Sequence, residues 1–167
     1  MNKRDPSTAA SRTRPALGMT KTNLIILALF VASFVGLKIW QYWWPKADIE
    51  LAGETLHVLV ANTPTHQYRG LGKRDSIAPY DGMLFTFTFP RRVAIVMRDM
   101  RFPIDIVWFF NGEVIDIAPN VQPEDVPESE LTPYVPREDA DMVLELPAGW
   151  AGEHGLKIGD RLTVVKK

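Results

Sequence analysis

Residues 24–44 are mostly apolar, and they constrain this chain more than any other stretch of it. No charged residue occurs from Leu24 to Leu37, and after Lys38 the stretch continues through aromatic residues to Trp44. Because a helix rises about 1.5 Å per residue, a helix of this length spans roughly 30 Å, the thickness of the hydrocarbon core of a bilayer. Lipid offers the backbone no hydrogen-bonding partner, so a helix suits that environment. We therefore predict a transmembrane helix over residues 24–44.

The flanks of this helix predict its orientation. Residues 1–23 carry one acid, Asp5, against five basic residues, which are Lys3, Arg4, Arg12, Arg14 and Lys21. The positive-inside rule places this end in the cytoplasm, and the aromatic residues from Trp40 to Trp44 predict a belt at the opposite membrane surface. We expect a disordered cytoplasmic tail over residues 1–23, one pass through a bacterial cytoplasmic (inner) membrane, and a domain on the periplasmic or extracellular side.

A cleaved secretory signal peptide is the alternative interpretation of the same stretch, since it also has a basic start and an apolar segment. The residues that follow, Pro45, Lys46 and Ala47, do not form the small-x-small cleavage site that this alternative needs. An uncleaved anchor is therefore favoured. Both interpretations export the same domain.

The rest of the chain is long enough for one ordinary domain with its own core. We expect a linker over residues 45–54 and an exported β domain over residues 55–167. The chain contains no cysteine, which excludes disulfides and thiol chemistry. From Lys46 onward there are 13 Lys and Arg against 19 Asp and Glu, a net charge of −6. Nucleic acid requires a basic surface, so it is not an expected partner.

Alternation of apolar and polar residues predicts strands at residues 55–61, 82–89 and 92–97. The second of these places Met83, Phe85, Phe87 and Phe89 on one face, which is typical of a half-buried antiparallel strand. Between the first two strands, Thr63 followed by Pro64 predicts the start of a short helix that ends at Gly70 or Gly72.

The dipeptide Asn111-Gly112 predicts a β-hairpin, because it accepts the two positive φ values of a type I′ turn. Its strands are residues 104–110 and 113–118. A two-residue turn at these positions would pair Phe110 with Glu113, Trp108 with Ile115, and Ile106 with Ile117. The last four of these residues are assigned to the core. The opposite face, with Asp105, Val107 and Phe109, is expected to be partly covered as well.

Residues 119–141 hold five prolines among seven acids, so regular structure is not expected there. A strand at 142–146, a short helix within 147–154 and a last strand at 161–165 complete the pattern. The predicted fold class is mainly β: a compact antiparallel barrel or sandwich of about seven strands with two short helices, preceded by one transmembrane helix.

Five segments in this order give the chain a family resemblance: R-G-L-G-K-R (69–74), G-M-L-F (82–85), P-I-D-I (103–106), L-E-L-P-A-G (144–149) and G-L-K-I-G-D (155–160). The part from Leu56 to Val165 resembles the bacterial and archaeal family called domain of unknown function 192. The resemblance implies a compact, mostly β domain and brings no established reaction. The family tends to have Arg-Gly-Leu-Met where residues 69–72 of this chain are Arg-Gly-Leu-Gly. It often has Trp-Met-Lys-Asn-Thr where residues 96–100 of this chain are Val-Met-Arg-Asp-Met.

Few residues here carry recognisable chemistry. The three histidines, His57, His66 and His154, do not have the spacing of a metal site, so no metal is predicted. Neither Ser76 nor Ser129 lies in a G-x-S-x-G motif, which argues against a serine hydrolase. Glycine-rich phosphate loops are absent from the sequence. No cofactor is therefore predicted.

The candidate site consists of Arg69, Arg98, Asp99 and Asp105. Asp99 and Asp105 flank a turn, so their carboxylates could lie close together. Such a pair near an arginine can perform acid–base catalysis, can bind an anionic or sugar-like ligand, or can form a structural ion-pair network.

Two functional hypotheses follow. The first is a membrane-anchored cell-envelope protein that acts as a non-enzymatic binding or accessory module, with the lipid bilayer and a small anionic or glycan ligand as partners. The second is a small envelope hydrolase that uses Asp99 and Asp105.

Overall fold

The computed structural model describes residues 20–165, with the backbone alone for residues 39–42. The chain forms two units, one ending at Tyr42 and the other beginning at Trp43. The first unit contains helix α1, Lys21–Tyr42. The second contains β1 (Lys46–Leu51), β2 (Glu54–Ala61), α2 (Pro64–Arg69), β3 (Gly82–Arg91), β4 (Ile104–Phe110), β5 (Glu113–Val121), a 3₁₀ helix (Glu128–Glu130), β6 (Ala140–Pro147), α3 (Trp150–Glu153) and β7 (Thr163–Val165).

Helix α1 is long and apolar enough to cross a membrane by length and composition. Thr20 caps its start, since the Thr20 hydroxyl accepts a hydrogen bond from the Asn23 backbone at 3.3 Å. The helix ends at Tyr42, two residues before the predicted end, because Pro45 disfavours helical backbone at Trp44. Most of the predicted tail and the side chains of Trp40 and Tyr42 lie outside the described residues.

The strands form one seven-stranded sheet in the order β5-β4-β6-β3-β2-β1-β7. Neighbouring strands are antiparallel except β2 and β3, which are parallel. The sheet is open, and β5 and β7 are its edges. The turn before β7 nevertheless reaches β5, because the Val114 backbone N–H donates to Asp160 O at 2.8 Å. The mainly β class is confirmed, with an incompletely closed sheet and three α-helices.

Strand β1 lies inside the range 45–54 where a linker was expected. The sequence K-A-D-I-E-L alternates, and Ile49 and Leu51 are fully buried between β2 and β7. The charged residues that alternate with the apolar ones, Lys46, Asp48 and Glu50, made this segment resemble a linker. The domain therefore begins almost directly after α1 in the sequence.

Each face of the central sheet is covered by its own apolar core. The first core includes Met83, Phe85, Ile106 and Trp108, together with residues from the loops on that side. The second core is built from the alternate residues of the same strands, among them Leu84, Val107 and Phe109. Burial on both faces explains why the central strands are almost continuously apolar.

The hairpin at Asn111-Gly112 is confirmed, and Phe110 does pair with Glu113. The next two predicted pairs are wrong. Ile115 is an extra residue on β5, so Trp108 pairs with Asp116, and a second irregularity lies between Ile104 and Ile106. Because each extra residue reverses which side chains face which core, Ile117 packs with the second core and not with Ile106 and Trp108.

The predicted strand at 92–97 is wrong as well. Val93, Ile95 and Met97 alternate into the first core, yet Ile95 forms only an isolated bridge with Tyr134. Strand β3 already has β2 and β6 as neighbours, which leaves no edge beside it for this segment. In residues 119–141 the structure is mostly irregular, as expected, apart from the end of β5, the 3₁₀ helix and the start of β6.

Candidate functional site

A cleft lies where the end of α2 meets the loop between β3 and β4. It consists of an inner cavity of about 130 Å³ and an outer cavity of about 380 Å³. Tyr68, Arg69, Gly72 and Arg98 line both cavities. This cleft contains most of the predicted site.

Helix α2 positions one wall of the cleft. Thr63 caps the helix, as predicted, by accepting a hydrogen bond from the His66 backbone, and Pro64 occupies its first turn. The helix ends at Gly70, whose φ of 47° favours glycine. Arg69, the last helical residue, is thereby placed at the rim.

Close backbone contact joins this wall to the next loop. The Lys73 N–H donates to Asp99 O at 2.8 Å. A Cβ atom on Gly72 would lie only 2.8 Å from Arg98 O and 3.3 Å from Arg69 O. Glycine at position 72 therefore permits an approach that a side chain would prevent.

The Arg98 side chain is held from three directions. Its guanidinium lies 4.2 Å from the centroid of the Tyr68 ring, and Nη1 donates to Tyr68 O at 3.0 Å. Nε and Nη2 both contact Glu128 Oε1 at 2.7 Å. Arg98 therefore ties α2 to the 3₁₀ helix and forms an ion pair with Glu128 in the lining of the cleft.

Asp99 and Asp105 are not brought together. Asp99 is half exposed in the outer cavity, and its carboxylate lies 3.5 Å from Lys73 Nζ. Asp105 is fully buried in β4 and is not among the described residues that line either cavity. Its carboxylate accepts backbone hydrogen bonds from Asn120 at 2.7 Å, Gly149 at 3.0 Å and Ala151 at 2.8 Å. Asp105 has a structural role here.

Glu145 lines the inner cavity and was not predicted as a site residue. It lies in β6 between Met83 and Ile106, on the face of the first core, and is 5% exposed. Its Oε2 atom is buried with no hydrogen-bond partner among the described residues. Burial raises the pKa of Glu145 to about 8, so the carboxyl group is mostly neutral at pH 7. The sequence does contain a signal for this site residue, which is an acid, Glu145, within the apolar segment L-E-L-P-A-G.

The three histidines contact different partners. His57 Nδ1 hydrogen-bonds to Asp48, while the His66 and His154 rings stack on Trp44 and Trp150 at centroid distances of 4.2 Å. Within residues 20–165, no group of three or more His, Asp or Glu side chains could hold a metal ion.

Fold and cleft together define a small, mainly β domain with a polar pocket between its loops. A family model described as "Uncharacterized ACR", the domain of unknown function 192, matches residues 47–164. The chain belongs to this family. Comparison with curated proteins gave no match.

Two solved structures are similar to this chain. One, from Sinorhizobium meliloti 1021, is described as a proposed transcription regulator; it is 34% identical, with a TM-score of 0.63 over 72% of this chain and 95% of that one. The other, a protein of unknown function from Novosphingobium aromaticivorans DSM 12444, is 27% identical, with a TM-score of 0.62 over 72% of this chain and 84% of that one. The fold is therefore shared with bacterial proteins that carry no established reaction.

Proposed function

We propose that this chain is a single-pass, membrane-anchored protein of the bacterial cell envelope, and that its β domain binds a small polar ligand without converting it. The N-terminus lies in the cytoplasm, and the domain lies on the periplasmic side of the inner membrane. The lipid bilayer and an anionic or glycan-like small molecule are its partners.

The properties of α1 support the anchor. Apolar side chains such as Leu29 and Phe30 are 66% and 72% exposed, and none of residues 21–38 is buried. A helix that exposes apolar side chains all round requires an apolar surrounding, which lipid provides. The basic residues of the tail favour a cytoplasmic N-terminus.

The single observation that carries the binding proposal is the buried Oε2 atom of Glu145, which has no partner among the described residues and belongs to a residue lining a cavity. Leaving a buried polar atom without a hydrogen bond costs about 1–3 kcal/mol. A ligand that enters the inner cavity would supply the missing hydrogen bond and remove that cost.

The cleft also indicates the class of ligand. A neutral Glu145 donates one hydrogen bond and accepts others, which suits a hydroxyl or amide group. Arg98 and Arg69 line the same cavity and favour a carboxylate or another anion. A sugar acid combines both kinds of group.

The separation of Asp99 from Asp105 favours binding over the hydrolase hypothesis. Paired-carboxylate catalysis needs both groups at one substrate, and Asp105 already accepts three backbone hydrogen bonds in the interior. The regulator description of the Sinorhizobium protein is not extended to this chain, because the part from Lys46 has a net charge of −6.

Membrane topology is tested with single cysteines, because the chain contains none of its own. Ser129→Cys lies on the exposed 3₁₀ helix, and Ser7→Cys lies in the tail as its matched control. A membrane-impermeant maleimide added to intact spheroplasts should label Ser129→Cys and should label Ser7→Cys only after lysis. The reverse order would refute the proposed orientation, and a chain left in the supernatant after ultracentrifugation would refute the anchor.

Ligand binding is tested by titrating the detergent-solubilised full chain with D-glucuronate, and with D-glucose as the uncharged control. We expect glucuronate to bind more tightly than glucose, and its affinity to fall as the pH rises through about 8, where Glu145 ionises. Glu145→Gln should bind without this pH dependence, and Glu145→Leu should lose binding. Equal binding by wild type and Glu145→Leu would refute the assignment.

A further inference from the structure

A second cluster of charged and aromatic side chains lies where the β domain begins. Its centre is the ring of Trp44, which stacks on the buried ring of His66 with a centroid distance of 4.2 Å and an interplanar angle of 23°. Two guanidinium groups lie over the same Trp44 ring, with Cζ at 5.8 Å for Arg69 and 5.4 Å for Arg74. Trp44 is therefore a fixed platform that holds two positive charges near each other.

A third positive charge lies beside this platform. The Nζ atom of Lys46 lies 5.0 Å from the centroid of the Tyr80 ring. Within the described residues, neither Lys46 nor Arg74 has a carboxylate oxygen within 4.0 Å. Burial, followed by the nearby Arg69 charge, lowers the pKa of Arg74, while Tyr80 opposes this effect. The cluster thus gathers positive charge without an acid beside Lys46 or Arg74 to offset it.

We propose that Trp44, Arg69 and Arg74, with Lys46 beside them, form a binding site for a phosphate group. Guanidinium groups donate paired hydrogen bonds to phosphate oxygens, and a divalent or monovalent anion would relieve the repulsion between the two arginines. Arg74 does not line either cavity of the Glu145 cleft. The phosphate site is therefore distinct, although Arg69 contributes to both.

The headgroup of an anionic phospholipid is the source that the sequence favours. Trp44 follows Tyr42, the last residue of α1, by only two positions. If α1 spans the membrane, Trp44 lies within reach of the headgroup layer, where tryptophan and basic residues are favoured. The lipid source rests on the anchoring proposed above. The phosphate site itself does not, because free phosphate esters present the same oxygens.

The test measures the Tm of the full chain in nanodiscs. Replacing part of the phosphatidylcholine with phosphatidylglycerol should raise the Tm of the wild type by a few degrees, because a ligand that binds the folded state stabilises it. Arg74→Gln should lose this rise, and Arg74→Lys should keep only part of it. The matched control is Arg91→Gln, which removes another guanidinium lying over an aromatic ring, that of Phe87 at 5.0 Å, and should keep the full rise.

A second arm adds soluble glycerol 1-phosphate to nanodiscs of phosphatidylcholine alone. If Tm rises in an Arg74-dependent manner with the lipid alone, the result supports the headgroup as the source. If Tm rises in this manner in both arms, the result supports the site with a soluble phosphate source. Equal behaviour of Arg74→Gln and Arg91→Gln, or no response to either phosphate, would overturn the proposal. The cysteine-labelling experiment is independent of this result, so failure of the anchor and failure of the site are distinguishable.

Discussion

The carboxylate of Asp105 accepts a hydrogen bond from the backbone N–H of Ala151 at 2.8 Å, and so joins strand β4 to the start of helix α3. Two further backbone donors, from Asn120 and Gly149, share the same carboxylate. An acid of the P-I-D-I motif thereby joins β4 both to the end of β5 and to the start of α3.

Replacing Asp105 should accordingly destabilise the domain. Asp105→Ala leaves three backbone N–H groups, one buried and two part-buried, without this acceptor, so we expect the free energy of unfolding to fall by about 3–5 kcal/mol. Asp105→Asn should lower the free energy of unfolding by less, because the amide oxygen of asparagine can still accept hydrogen bonds from the backbone. Chemical denaturation of the full chain in detergent measures both. The control is the half-exposed Asp99→Asn, which should stay within about 0.5 kcal/mol of wild type; a larger loss there than at Asp105 would contradict the structural role.

Glu145 should make stability depend on pH. Its folded pKa of about 8 is above the value of 4.5 expected when unfolded, so the folded state binds more protons between these values. Stability should then decrease as the pH rises from about 4.5 to 8, by about 4 kcal/mol, and level off above 8. Denaturation curves at pH 5 and 8 measure this change.

Glu145→Gln should abolish that pH dependence, because glutamine does not titrate. The exposed Glu54→Gln is the matched control and should retain the wild-type profile. A profile unchanged in Glu145→Gln would show that other groups cause the pH dependence.

Gly72→Ala should destabilise the cleft. The new Cβ would meet Arg98 O at 2.8 Å, and backbone atoms cannot give way cheaply, so we expect a loss of about 1–3 kcal/mol. Gly152→Ala, in α3, is the control: its Cβ meets nothing within 4 Å, and alanine should be neutral or slightly stabilising. Thermal unfolding of both variants measures the difference, and equal Tm values would argue against a steric requirement at Gly72.

Arg98→Lys should loosen the 3₁₀ helix. Lysine cannot keep both the contact with the Tyr68 ring and the two nitrogen contacts with Glu128. We expect amide hydrogen exchange in residues 128–132 to become roughly tenfold faster. Arg101→Lys, whose partner Asp75 is exposed, should leave this region unchanged. If exchange is unaltered in Arg98→Lys, another contact holds the segment.

Much of the fold follows from local sequence chemistry. Thr63 and Pro64 start α2, and Asn111-Gly112 closes the hairpin, because these residues determine backbone angles within a few positions. The errors arise where the decisive partner is distant. Ile115 lies at an irregularity that only the pairing of β4 with both β5 and β6 reveals. The segment from Val93 to Met97 alternates as a strand would, but β3 already has a strand on each side and offers it no edge.

The site was predicted less well for the same reason. Arg69, Arg98 and Asp99 do gather at one cleft, since turns bring their segments together. Burial decides the other two residues: Asp105, which was predicted as a site residue, is structural, and Glu145, which was not predicted, lines the inner cavity. Asp105 has three backbone donors around it, whereas Glu145 lies in an apolar layer with Oε2 unpaired among the described residues. Neither environment can be derived from spacing along the chain.

The parallel pairing of β2 with β3 has a consequence for how relatives diverge. Parallel neighbours cannot be joined by a tight turn, so the intervening residues 62–81 must travel back along the sheet. That return path carries Arg69, Gly72 and Arg74. Substitutions or insertions along it would reshape what the domain recognises while every strand keeps its register, which makes this crossover the natural place for a new specificity to evolve.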